Sequence, residues 1–158
     1  MASEVDGELS ETAQFYRSFW VELLDELRLD DASQPMANVT QSENLYFKIP
    51  PSISSAWVSS YFSKSKNNVG VYMRLSKRAM GDEAYRSLLE DRESIEADLG
   101  FKAEWKEFDK SFSISVARHF PDVHDPKYRA DIKQYLSHNI NQFVNVFRPR
   151  MARFSEEG

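Results

Sequence analysis

The chain has no cysteine among its 158 residues, which excludes disulfides, zinc–thiolate sites and cysteine nucleophiles together. Glycine is also scarce: there are five, and none cluster, so no phosphate-cradling loop is present. No apolar run approaches the roughly 20 residues that a bilayer-spanning helix needs. Residues 1–8 are acidic and lack the basic-then-apolar order of a secretory signal. Basic charge is not in excess, because 20 Lys+Arg stand against 25 Asp+Glu for a net charge of −5. Coating nucleic acid by bulk charge is thereby excluded, whereas a local basic patch is not. Serines are plentiful, but none sits in a Gly-x-Ser-x-Gly nucleophile elbow. Together these absences lead to the expectation of a cytoplasmic protein with no membrane partner, no cofactor and no metal. Asn38-Val39-Thr40 matches a glycosylation acceptor, which without a secretory signal is given no role.

What is present is a succession of hydrophobic periods. Hydrophobic residues at 41% and aromatics at 13% suffice for one core without metal or disulfide staples. Phe15, Phe19, Trp20, Leu23, Leu24 and Leu27 fall on one helical face behind Ser10, a candidate N-cap. Alternation then takes over in Leu45–Ile49, Ala56–Ser63 and Val69–Leu75, with Pro50-Pro51 closing the first strand and Lys64–Asn68 turning the hairpin. Gly81-Asp82 opens a second helix with Asp82 as its cap, carrying Tyr85, Leu88, Leu89, Ile95 and Leu99, and Gly100 supplies a left-handed end. Ala103–Phe108 and Phe112–Ala117 read as another hairpin. A last helix follows Pro126 and carries Tyr128, Ile132, Tyr135, Leu136, Ile140, Phe143 and Phe147; Pro149 is expected to end or kink it. The order α-βββ-α-ββ-α predicts an α+β fold, with an antiparallel sheet of about five strands packed on three helices. Residues 1–9 are expected to be disordered, 10–151 to form one domain, and 152–158 to be a tail.

Several of these segments also carry a family likeness. They are Phe19-Trp20, the strand Val69-Gly70-Val71-Tyr72-Met73-Arg74-Leu75, Leu88-Leu89 followed by Ile95-Glu96, Leu99-Gly100 leading to Trp105, and Phe147-Arg148-Pro149. In this order and spacing the chain, from about Phe15 to Met151, resembles the bacterial and archaeal domain-of-unknown-function family numbered 4268. Domains of that family often follow a restriction-endonuclease-like domain, so the resemblance implies a neighbourhood of DNA cleavage or defence against foreign DNA. It supplies no catalytic residue, and the chemistry of the fused nuclease is not carried over to these 158 residues.

The main candidate surface follows from alternation. If Leu45, Phe47, Val58, Phe62, Val71 and Met73 face the helices, the other side of the sheet carries Tyr46, Lys48, Trp57, Tyr61, Tyr72 and Arg74. Lys64 and Lys66 lie at the neighbouring turn. Aromatics interleaved with cations form a platform on which unpaired bases stack. The same residue types dominate protein-binding hot spots, so a nuclease or defence partner suits the surface as well. A third alternative is that a helix or a second copy of the chain covers it. The expectation is therefore a non-catalytic binding or accessory module. Its rivals are a small metal-dependent nuclease and a homodimeric interaction protein.

Three further clusters are weaker candidates. Glu104-Trp105-Lys106 matches half of a metal-dependent nuclease motif, in which acidic groups hold Mg²⁺ beside a lysine. The expected Asp on a neighbouring strand is missing, and a solvated strand face explains the pair. His119, Asp122, His124 and Asp125 have the donor types for a divalent ion, but their spacing fits loop caps equally. Lys127, Arg129, Lys133, Arg148, Arg150 and Arg153 make the last helix basic, which complements its dipole or offers phosphate contacts.

Overall fold

A computed structural model describes residues 10–49, 56–78 and 80–154. The expected disordered residues 1–9, the Pro50-Pro51 strand stop and residues 155–158 lie outside that set. Helix α1 (Glu11–Glu26) starts as its sequence dictates, with the Ser10 side chain accepting a hydrogen bond from the Ala13 N–H. Strands β1 (Asn44–Lys48), β2 (Ala56–Ser63) and β3 (Asn68–Ser76) form an antiparallel meander. Helices α2 (Gly81–Glu90) and α3 (Arg92–Leu99) precede β4 (Glu104–Glu107), β5 (Ser111–His119) and α4 (Arg129–Met151). The sheet is five-stranded and wholly antiparallel in the order β1-β2-β3-β5-β4. The expected α+β class with its antiparallel sheet is thus present.

The helix count differs from expectation by one. The stretch read as a single second helix breaks at Asp91, whose N–H turns back to the Leu88 carbonyl at 3.0 Å. No glycine or proline marks the break. Its effect is to turn Ile95 and Leu99 into the core while Leu89, expected there, stays 41% exposed. Arg150 fastens the bend, lying 3.8 Å from Asp91 and 2.9 Å from Asp98. Met80, not Asp82, occupies the cap position of α2, and Asp82 pairs with Arg86 one turn on. Gly100 ends α3 in the left-handed region at φ 91°.

Two expectations at the last helix also shift. Pro126 opens a 3-10 turn (Pro126–Tyr128) capped by Asp125, and α4 begins only after it. Pro149 does not end α4, which continues to Met151; the missing N–H falls in the final turn, where only one bond to the helix is forfeited. The segment expected to be a tail instead starts with a second 3-10 turn (Ala152–Phe154), and Phe154 is buried.

All helical stripes pack on one side of the sheet. Phe62 is ringed by Phe15, Tyr16, Phe19 and Trp20 of α1 at 4.9–5.6 Å between centroids. Tyr85 of α2 stacks on Phe112 of β5 at 4.0 Å and 8°. Ile132, Leu136, Ile140, Phe143 and Phe147 of α4 are buried over Val58, Val71, Met73 and Ile114. Glu96 ties α3 to β4, accepting from Trp105 Nε1 at 2.9 Å and from the Ala103 N–H at 3.0 Å. Two outward carbonyls of the edge strand β1 are occupied by side chains, since Thr40 Oγ1 donates to Asn44 O and Gln34 Nε2 to Lys48 O.

Candidate functional site: the open face of the sheet

Strand register aligns the second face in rows that run across the strands. One row reads Lys48, Trp57, Arg74, Ser113, Lys106, from edge to edge. The next reads Tyr46, Ser59, Tyr72, Ser115, Glu104, and the third Asn44, Tyr61, Gly70, Ala117. All six residues expected on this face therefore lie on it and share two adjacent rows plus Tyr61. Among the described residues no helix packs on this side. Tyr46 is 48% exposed, Lys48 is exposed, and Trp57, Tyr61, Tyr72 and Arg74 are half-buried among their neighbours.

The aromatics and the guanidinium form one surface. Tyr61 and Tyr72 have ring centroids 5.6 Å apart. The Arg74 guanidinium lies over Tyr72 at 4.7 Å and over Phe108, a ring the sequence did not place here, at 5.4 Å. Burial raises the Tyr46 and Tyr61 phenols above their ordinary value of 10, with Tyr72 adding to the effect, so both rings are neutral at physiological pH. Two donors on this face are buried without a partner: Trp57 Nε1 and Arg74 Nε, on residues directly paired across β2 and β3.

Beside this ridge the floor drops. Gly70 has no room for a side chain, because a Cβ there would lie 2.4 Å from Val116 O and 2.7 Å from the Tyr61 hydroxyl. Tyr61 thus lies over Gly70, and Ser115 and Ala117 on the next strand are small. The result is an open trough of about 460 Å³ lined by Tyr61, Lys66, Asn68, Lys102, Glu104 and Ser115 among others. Asn68 Oδ1 there is a further buried polar atom without a partner. Asn68 was missed because it was read as turn, whereas it opens β3. Phe108 and Lys102 were missed because their place depends on β5 and β4 following β3 in the sheet. Nothing local in the sequence encodes that order.

A family model described as "Domain of unknown function (DUF4268)" matches residues 15–151. The chain belongs to this family. No curated protein matches it. Among solved structures it is similar to YbjN from E. coli, suggested to be a transcription regulator. That likeness has a TM-score of 0.47 and 12% identity, over 86% of this chain and 91% of the other.

The weaker clusters fall differently in this DUF4268 domain. Glu104 and Lys106 share the open face but sit 3.5 Å from each other and face Ser115 and Ser113. Asp98 is engaged by Arg150. Asp122 accepts from the His124 N–H and from Lys64, Asp125 caps the 3-10 turn, and His119 closes β5. His124 shares a hydrogen bond with the Tyr16 hydroxyl at 3.0 Å and packs 4.3 Å from Phe15; burial lowers its pKa from 6.5. Among the described residues no three His, Asp or Glu side chains are grouped to hold a metal ion.

The cations at both ends of α4 are largely spent internally. Arg148 meets Asp31 at 3.4 Å, Arg129 meets Glu22 at 3.0 Å, and Lys133 meets Glu22 and Glu26 at 3.2 and 3.1 Å. The hydrogen bond from Arg129, followed by that from Lys133, lowers the Glu22 pKa. No described helix is long and apolar enough to cross a membrane.

Proposed function

We propose that this domain is a non-catalytic binding module that engages its ligand through the open face of the sheet. In this reading it serves in the cytoplasm beside enzymes that cleave or defend against DNA, the setting its family resemblance implies. One observation carries the proposal: Trp57 and Arg74, paired in register on a face that no described helix covers, each hold a buried nitrogen, Nε1 and Nε, without an acceptor. A buried donor left unpaired costs about 1–3 kcal/mol. A ligand supplying acceptors would recover that cost, whereas a purely structural sheet gains nothing from retaining it.

The test compares what copurifies with the intact protein and with a Trp57→Ala/Arg74→Ala variant of equal helical content. Loss of a partner from the variant supports the reading, and identical recovery removes it. Incubation with plasmid and single-stranded DNA in Mg²⁺ or Mn²⁺ addresses the nuclease alternative. Cleavage that disappears in Lys106→Ala would replace the binding-module reading with an enzymatic one. A doubled mass in solution that the face variant reduces to a monomer would make a second copy the partner.

A further inference from the structure

We infer that the ligand of the open face is an unpaired nucleic-acid strand lying across the sheet, with its phosphates along the Lys48–Arg74–Lys106 row and its bases on the tyrosine row beside it. This rests on the open-face reading above and adds the chemical class of the ligand. Three features of the face lead to it. The first is charge in a line. Lys48, Arg74 and Lys106 occupy the first, third and fifth strands of one row. With strands about 4.8 Å apart they are spaced about 10 Å and span about 19 Å. The chain as a whole is acidic, yet Glu22, Glu26, Asp31 and Asp98 pair with the cations of α4 on the helical side. In the row Lys48 and Lys106 are exposed and Arg74 is half-buried, and Lys106 lies 3.5 Å from Glu104.

The second feature is ring placement. Tyr46 and Tyr72 lie one row over, two residues along their strands from Lys48 and Arg74, a step of about 6.7 Å. That offset is of the order of the separation between a base and its own phosphate. The rings offer π-faces, which every base can use regardless of sequence. The third feature is the trough, about 460 Å³, which lies in the size range of small-ligand pockets. Tyr61 forms its wall, Asn68 Oδ1 is an unused acceptor, and Lys66 and Lys102 stand at its rim. An extruded base placed there stacks on Tyr61 and offers a ring or amino N–H (N3–H in thymine and uracil) to Asn68 Oδ1. A duplex cannot do this, because its bases are already stacked and paired.

The experiment measures anisotropy of labelled oligo-thymidylate, oligo-uridylate and a DNA duplex with the full chain, across about 50–200 mM salt. Single strands are expected to bind more tightly than the duplex. With three phosphates neutralised, log K should fall against log salt with a slope of about −2, and each of Lys48→Ala and Lys106→Ala should reduce the slope by about 0.7. Tyr46→Ala should weaken binding about five- to hundredfold, the range of one lost base stack, at unchanged salt slope. Both altered lysines and Tyr46 are on the surface, so a melting curve matching the parent verifies the fold. Binding of DNA, RNA or both upholds the inference and identifies the sugar that is tolerated.

Failure of both single strands to bind, equal binding of duplex, or indifference to Tyr46→Ala overturns it. Failure of the oligonucleotides together with loss of a copurifying protein from the Trp57→Ala/Arg74→Ala variant overturns this inference and leaves the open-face reading standing. If that variant also loses nothing, both fall.

Discussion

Trp20 of α1 and Trp105 of β4, both on the helical side of the sheet, each place their indole N–H on an acceptor: Ser42 O and Glu96 Oε2, both at 2.9 Å. Trp57, on the opposite face of the same sheet, has none. The same contrast holds for the cations. Arg129, Lys133, Arg148 and Arg150 on the helical side are each bound to carboxylates, whereas Arg74 lies on two aromatic rings and leaves its Nε unpaired. One side of the sheet is a finished interior. The other has the donors, rings and charge of an interface whose second half is not part of this chain's described residues. Stability should therefore reside on one face and recognition on the other, and substitutions can separate the two.

The largest effect expected is at Phe62, the centre of the aromatic cluster. Phe62→Ala should destabilise the fold by about 3–5 kcal/mol in a denaturant titration, while affinity for an oligonucleotide, measured on the folded fraction, stays at the parent value. Next comes Glu96. Glu96→Ala leaves Trp105 Nε1 and the Ala103 N–H without an acceptor and should cost about 1–3 kcal/mol. The hydrogen bond from Trp105, with those from the Ala103 N–H and Arg92, holds this carboxyl below its ordinary value of 4.5. A carboxyl depressed in the folded state contributes stability that is complete above pH 4.5 and is lost as pH falls through the folded value. Acid melts of the parent should therefore show a loss below pH 4.5 that is smaller in Glu96→Ala.

The smallest effect sharpens the contrast most. Trp57→Phe removes a donor that has no acceptor, so its stability should remain within about 1 kcal/mol of the parent. Trp20→Phe, which strands the Ser42 carbonyl and opens space at a fully buried site, should cost more. Equal losses at the two positions, read from the same thermal melts, would mean that the two faces do not differ as described.

Alternation made the sheet legible before any coordinates. Val69, Val71, Met73 and Leu75 bury one side of β3, with Tyr72 and Arg74 on the other, because a period of two leaves no third choice. The helical stripes of α1 and α4 were legible from their own period of 3.6 residues. The break at Asp91 was not, since it depends on Arg150 reaching back from α4, a contact 59 residues away in sequence by residue number. Nor did the loop from His119 to Asp125 reveal that His124 belongs to the aromatic cluster of α1 and not to a metal-type grouping. Of the open face, the residues from β1 to β3 could be read off hairpin pairing alone. Lys106, Phe108 and the small residues of β5 joined them only through the strand order, which long-range packing decides.

The two outermost strands of the sheet are poor templates for another chain. On β1 the free carbonyls at Asn44 and Lys48 already receive side-chain donors from Thr40 and Gln34. β4 is four residues long, and Glu104, Lys106 and Glu107 are charged. Short, charged or capped margins discourage strand addition and the aggregation that follows from it. Growth sideways is thus discouraged in this domain, and association is directed onto its broad surface. Neutralising Lys106 for a binding assay therefore also thins the guard on one margin, so turbidity is the control to run beside it.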